Sequence, residues 1–148
     1  MGRLEAIWLK RAKRAPMDPV ERARLVAHEG VEGNADYRTM RQITLISAEG
    51  WREAETALGR TVDPRARRAN LMVSGVDLEN SRGRILAVGG LRLHLRGETR
   101  PCERMDEECA GLRAALGPHW RAGAWGEVLD DGEIAVGDAV EFVGSPER

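Results

Sequence analysis

The sequence predicts a mostly-β fold: a compact β-barrel with two or more short α-helices. Three observations lead there. Short runs of alternating apolar residues recur along the chain, Gly-rich turns separate them, and only two stretches show helical spacing. The 148 residues suit a single domain, with a core over about residues 3–143 and no repeat or linker to divide it. A chain of this length buries a core without disulfide or metal staples.

Residues 4–10 alternate weakly and read as a strand. Pro16 and Pro19 then interrupt regular structure. Residues 24–28 read as a second strand, followed by a loop whose Gly30, Gly33 and Asn34 tolerate positive φ. Over 42–47, Ile43 and Leu45 face one way while Gln42, Thr44 and Ile46 face the other. Ser47 is placed to cap a helix over 48–58, where Trp51, Ala54 and Leu58 recur at helical spacing and Gly59 ends the run. Residues 68–73 read as a strand with Leu71 and Val73 on one face and Arg68, Asn70 and Met72 on the other. Residues 85–88 are apolar on both faces, as in a buried strand, and Gly89–Gly90 turns the chain into Leu91, Leu93 and Leu95, which alternate with Arg92, His94 and Arg96. Thr99 opens a second helix reaching about Leu116, with an apolar stripe of Cys102, Met105, Cys109, Leu112 and Leu116. Residues 127–129 and 133–136 flank Asp130, Asp131 and Gly132 in the pattern of a hairpin, and 139–143 form the last strand.

Composition narrows the function. With 42% apolar and 32% charged residues and a net charge of −1, the chain has no overall attraction for nucleic acid or for a membrane surface. Aromatic residues make up 4% and are mostly Trp, so no broad stacking surface exists for bases. The basic clusters Lys10, Arg11, Lys13, Arg14 and Arg65, Arg67, Arg68 read as solvated surface. No apolar run approaches the roughly 20 residues that span a bilayer, and the N-terminus has no signal-type core, so the expected compartment is the cytoplasm. Cys102 and Cys109, seven residues apart on one helix, would lie about 10.5 Å apart. A disulfide needs less than about 7 Å, so both are expected as free thiols in a reducing compartment. His28, His94 and His119 have no ligand spacing for zinc.

Cys102 is the first candidate for chemistry. Capped by Thr99 it would occupy the third position of a helix, where the dipole and free N–H groups favour a thiolate. Arg100 and Arg104 support that charge, while Glu98, Glu103 and Asp106 oppose it. Spacing alone leaves Cys102 between a reactive thiol and the first residue of a core stripe; Cys109, mid-stripe, reads as core. Arg68 and Asn70 are the second candidate, a guanidinium fork and an amide on one strand face, suited to a phosphate or a pterin-like ligand or else simply to solvent. Arg41 and Arg121 are isolated arginines able to neutralise an anion. Asp130, Asp131 and Asp138 read as turn residues.

Several segments, in order, resemble the MOSC family, named after the C-terminal domain of molybdenum-cofactor sulfurase. They are Gly30-Val-Glu-Gly-Asn34-Ala-Asp36, Arg41-Gln42-Ile-Thr-Leu45, Arg68-Ala-Asn70-Leu, Gly75-Val-Asp77-Leu, Gly97-Glu-Thr99-Arg-Pro101-Cys102, Arg121-Ala-Gly123 and Gly132-Glu-Ile-Ala-Val-Gly137-Asp138. The resemblance implies a pyruvate-kinase-barrel-like β-barrel and makes Cys102 the hallmark residue. It implies that Cys102 ligates molybdenum through a molybdenum cofactor, as the metal ligand and catalytic residue, soft thiolate ligation being suited to such a centre. Arg68 and Asn70 would face that cofactor, with Arg41, Thr99 and Arg121 as further binding residues. An oxidoreductase of this kind reduces N-hydroxylated compounds with electrons from a separate protein. In the sulfurase setting the same cysteine carries sulfur as a persulfide received from a cysteine desulfurase. A third possibility is a binding module that holds the cofactor without turnover. Pyridoxal phosphate attaches to the family by association only; Lys10 and Lys13 are the only lysines and neither is placed for its chemistry. The Asp-x-His that many stand-alone members carry in the first loop is replaced here by Asn34 and no histidine follows, so no role of that histidine carries over.

Overall fold

In the computed structural model, which describes residues 2–144, eleven strands and three short helices build the chain. The strands are β1 (Gly2–Lys10), β2 (Met17–Val20), β3 (Arg22–Val26), β4 (Gly30–Val31), β5 (Ile43–Ser47), β6 (Leu71–Ser74), β7 (Ile85–Val88), β8 (Leu91–Glu98), β9 (Ala124–Val128), β10 (Gly132–Ala135) and β11 (Ala139–Val143). The helices are α1 (Ala48–Leu58), α2 (Arg104–Glu108) and α3 (Leu112–Leu116). Seven strands close a barrel in the order β11-β7-β8-β9-β5-β6-β1, with β1 returning to β11 through Gly2 and Arg3. All neighbours are antiparallel except β5 and β6, and α1 makes the crossover that a parallel pair requires. The second half of β1 carries β2 as an edge strand. A smaller sheet, β10-β3-β4, packs against the barrel.

Two apolar clusters follow from the alternation. The barrel interior holds Leu4, Ile43, Leu45, Leu71, Val73, Leu86, Leu93 and Leu95, and the small sheet adds Ala23, Leu25, Val31 and Ile134 to the same cluster. Burying these side chains, each worth about 1.5–3 kcal/mol, drives closure. The second cluster lies between the outer barrel wall and the helices: Trp8 and Ile46 from the wall meet Trp51, Ala54, Met105, Cys109, Leu112 and Leu116. Leu45 and Ile46 thus enter different clusters, as their opposite faces on β5 require. Helix α1 begins and ends as expected. The Ser47 hydroxyl accepts from the Gly50 N–H at 2.9 Å, and Gly59 closes the helix with φ 79°.

Four expectations are corrected. The single helix predicted from Thr99 to Leu116 is two short ones, broken at Gly111, whose φ of 88° no helix accommodates; Thr99 caps neither. The strand predicted from Arg68 begins at Leu71, because Asp63 caps a 3-10 turn over Pro64–Arg67 and Arg68 leaves it with φ 63°. Pro19 does not prevent a strand: it pairs opposite Trp8 on β2, at the barrel's edge, where a missing N–H is tolerated. The turn at Asp130–Gly132 does not make a hairpin. It carries the chain from β9, paired with β8 and β5, to β10, paired with β3. Its two acids serve different strands: Asp130 accepts from the Arg92 N–H at 2.9 Å and Asp131 from the Ala27 N–H at 2.7 Å.

Candidate functional site

The site forms on the outer wall of the barrel, where the chain leaves β8 and enters β9. At this point Thr99 is 1% exposed. Its N–H donates to the Gly123 carbonyl at 2.9 Å and its hydroxyl to the Ala122 carbonyl at 2.7 Å. Pro101 and Cys102 follow in irregular backbone before α2, and Cys102 is exposed. Its carbonyl accepts from the Met105 N–H at 3.0 Å, so the cysteine precedes the helix rather than sitting in its first turn. The expected help from a helix dipole therefore falls away: α2 has five residues and starts at Arg104. Cys109 is buried among the helices, and both cysteines are free.

Arg67 comes to the base of this loop from the 3-10 turn. That turn is held by α1, since the Trp51 indole donates to the Val62 carbonyl at 2.9 Å and Glu55 accepts from the Val62 N–H at 2.8 Å. Arg67 Nε donates to the Ala122 carbonyl at 2.7 Å, the same oxygen that Thr99 uses. Its two terminal nitrogens find no acceptor among the described residues. Burial of this guanidinium pulls its pKa down to about 10, a Cys102 thiolate beside it acts upward, and the charge of Arg41 acts downward again. Arg67 thus stays protonated at neutral pH, a half-buried cation within electrostatic range of Cys102 and Arg41.

Arg41, exposed, lies over the indole of Trp125 with its guanidinium carbon 5.6 Å from the ring centre. Trp125 is half-buried on β9, opposite Gly97 of β8. A Cβ at Gly97 would come within 3.0 Å of Trp125 Nε1, so the glycine lets the ring lie where it does.

The other residues expected at the site stand elsewhere. Asn70 is 4% exposed. Its Oδ1 accepts from the Thr44 N–H and hydroxyl at 3.1 and 3.3 Å, and its Nδ2 donates to the Trp8 carbonyl at 3.2 Å. It joins β5 to β1 and presents no face to a ligand. Arg68 turns away, donating to the Ala15 carbonyl in the loop after β1. Arg121 donates to the Ala115 carbonyl at 3.0 Å and pairs with Glu53 at 3.5 Å. It lines a cleft of about 540 Å³ that Cys102 does not border. So Thr99 is the buried support of the Cys102 loop, Cys102 and Arg41 both act electrostatically on Arg67, and Arg68, Asn70 and Arg121 bond elsewhere. Arg67 is the residue that sequence reading passed over, as part of a basic cluster. The available signal was Asp63–Pro64, a cap followed by proline at a first helical position, which predicts a turn that aims residue 67 differently from 68. Among the described residues no three His, Cys, Asp or Glu side chains are grouped to hold a bare metal ion. None of the helices described is long and apolar enough to cross a membrane.

The family model described as the MOSC domain matches residues 29–141, from the small sheet through the Cys102 loop to the last strand. The chain belongs to the MOSC domain family. Solved structures share the fold. The YuaD protein from Bacillus subtilis superimposes with a TM-score of 0.83 at 21% identity, covering 96% of each chain. YiiM from Geobacillus stearothermophilus gives 0.75 at 18% identity, covering 97% of this chain and 76% of that one. YiiM from Escherichia coli gives 0.71 at 16% identity, with 97% and 70% covered. At these identities the likeness is one of fold. No curated protein matches the chain.

Proposed function

We propose that this MOSC domain binds a molybdenum cofactor through Cys102 and reduces N-hydroxylated compounds, with electrons from a separate protein, in the cytoplasm. The observation that carries the reading is an exposed thiol at the position of the family's hallmark cysteine, on a loop anchored to the same carbonyl as a protonated Arg67 that no carboxylate pairs with among the described residues. The donor set suits such a group. Sulfur is a soft ligand for molybdenum, and the unused guanidinium nitrogens of Arg67, with Arg41 beside them, suit the anionic oxygens of a pterin cofactor. When bound, the cofactor supplies the two-electron chemistry. The chain's own residues hold and orient it: Cys102 from one side, Arg67 by charge and fixed geometry, and Arg41 from its seat on Trp125.

The test is metal analysis of protein made in a host that synthesises the cofactor, wild type beside Cys102→Ala. The expected result is molybdenum approaching one equivalent in the wild type and loss of most of it in the variant. Less than about a tenth of an equivalent in the wild type, with cofactor synthesis active, would sink the reading.

A second reading is favoured by the exposure of Cys102 in irregular backbone, where another protein's sulfur has access to it. Here Cys102 is a sulfur carrier. The thiolate attacks the outer sulfur of a desulfurase persulfide, the new S–S bond forms on Cys102, and the donor cysteine leaves as a thiolate. Incubation with a cysteine desulfurase and cysteine should then add one sulfur by mass, absent in Cys102→Ala; addition that persists in the variant counts against it.

A further inference from the structure

Two side chains from distant parts of the sequence converge on one peptide oxygen. The Ala122 carbonyl accepts from Thr99 Oγ1 and from Arg67 Nε, each at 2.7 Å. Thr99 belongs to the segment that carries Cys102, three residues on, and Arg67 belongs to the turn before β6. The oxygen is dry, since Ala122 and Thr99 are 0% and 1% exposed. Its direction is set by the next residue. Gly123 has φ 106°, and a Cβ there would lie 1.9 Å from the Leu45 carbonyl oxygen, so only glycine turns the chain at this point before β9 begins. The Gly123 carbonyl adds a third tie, to the Thr99 N–H at 2.9 Å. The result is a rigid peptide that grips the cysteine loop by one donor and the arginine by another.

We propose that the Ala122 carbonyl is the common anchor that fixes the Cys102 loop and the Arg67 guanidinium at one spacing, with Thr99 as the positioning residue that acts through it. This rests on Cys102 being the working thiol, and it holds whether that thiol takes metal or sulfur. Thr99 touches no ligand. Its role is to keep an exposed thiol within the field of a cation that is itself held by a hydrogen bond. Another rotamer of Arg67 would give up the hydrogen bond that fixes its guanidinium and leave the carbonyl with Thr99 as its remaining side-chain donor.

The consequence is a charge bias at Cys102 that does not depend on the cofactor. The experiment compares alkylation of Cys102 by iodoacetate and by iodoacetamide, using the full chain from a host without cofactor synthesis, at low ionic strength, with the modified peptide quantified by mass spectrometry. The anionic reagent feels the guanidinium and the neutral one does not, so the ratio of the two rates reports the cation's distance and cancels changes in general accessibility. One cation attracts an anion by about 1 kcal/mol at about 4 Å in water, about fivefold in rate, and by less farther out, so the expected bias is roughly two- to fivefold. Arg67→Gln and Thr99→Val should both lower the ratio by about that factor. Thr99→Ser should restore it, because the hydroxyl returns, and Arg65→Gln should leave it alone, because Arg65 is held by Asp63 at 2.7 Å. Thr99→Ala also removes the hydroxyl, so it too should lower the ratio, and it serves if Thr99→Val fails to fold. A fall with Arg67→Gln but none with Thr99→Val or Thr99→Ala would overturn the anchor. No fall with any of them would overturn the placement of Arg67 beside the thiol. Molybdenum content enters none of these outcomes, so failure here and failure of the cofactor reading are told apart.

Discussion

Asn70→Ala separates a structural asparagine from a ligand-binding one. The amide bridges two strands of the barrel that have no ladder between them, β5 through Thr44 and β1 through Trp8. Truncation removes three hydrogen bonds. The Thr44 hydroxyl, on a half-buried residue, can turn to water, but the Thr44 N–H and the Trp8 carbonyl lose partners in a site that is nearly closed. An unsatisfied buried group costs about 1–3 kcal/mol, and the 3.1 and 3.2 Å bonds lost here sit toward the weak end, so the expected destabilisation is about 2–4 kcal/mol. Urea unfolding followed by tryptophan fluorescence measures it as a lower midpoint at unchanged slope. The alkylation ratio at Cys102, taken under conditions where the variant is folded, should stay within a factor of about 1.5 of wild type, since no bond of Asn70 reaches the loop, Arg67 or Arg41. A variant less than about 0.5 kcal/mol weaker than wild type would refute the bridging role, because an exposed, ligand-facing amide is lost at that price.

Two further predictions concern the frame of the site. Gly123→Ala should destabilise by at least about 3 kcal/mol or fail to fold, since it combines a left-handed φ with a clash against the Leu45 carbonyl; soluble yield and urea midpoint read this, and near-wild-type stability would contradict the local geometry. The second is a pH effect. The Asp130 carboxyl is held below its ordinary 3.8, first by the Arg92 side chain and then by the Arg92 N–H. A lowered folded pKa means the stabilisation is present above about pH 4 and disappears as pH falls through the folded value. Asp130→Asn should therefore weaken the protein at pH 6 more than at pH 3, measured as urea midpoints; equal losses at both would refute the ionic origin. The pair is partly exposed, with 55% of Arg92 and 28% of Asp130 open to water, so the difference is small and shrinks with salt.

Much of the barrel was legible because it depends on local alternation. Leu91, Leu93 and Leu95 declare their inward face whatever they pair with, and Ser47 and Gly59 bound α1 by chemistry contained in one turn. Partners were not legible. The run over 133–136 looks like the second arm of a hairpin with 127–129, yet it joins β3, more than a hundred residues earlier in the chain. The helix after Thr99 failed for a related reason. Met105, Cys109, Leu112 and Leu116 do share one buried cluster, but Cys102, the first residue of the predicted stripe, stands exposed outside it, and two short helices reach the cluster as well as one long one.

From the sequence by itself came the fold class, the family resemblance and the choice of Cys102, since each rests on residue type and order along the chain. Tertiary structure decided which arginine serves the cysteine loop. Arg67 and Arg68 are adjacent and chemically identical; Asp63–Pro64 signals a turn that separates their directions, but not which direction leads to the Ala122 carbonyl. The difference arises because the Asp63-capped turn and the left-handed backbone at Arg68 send consecutive side chains to different places, one to the Ala122 carbonyl and the other to that of Ala15.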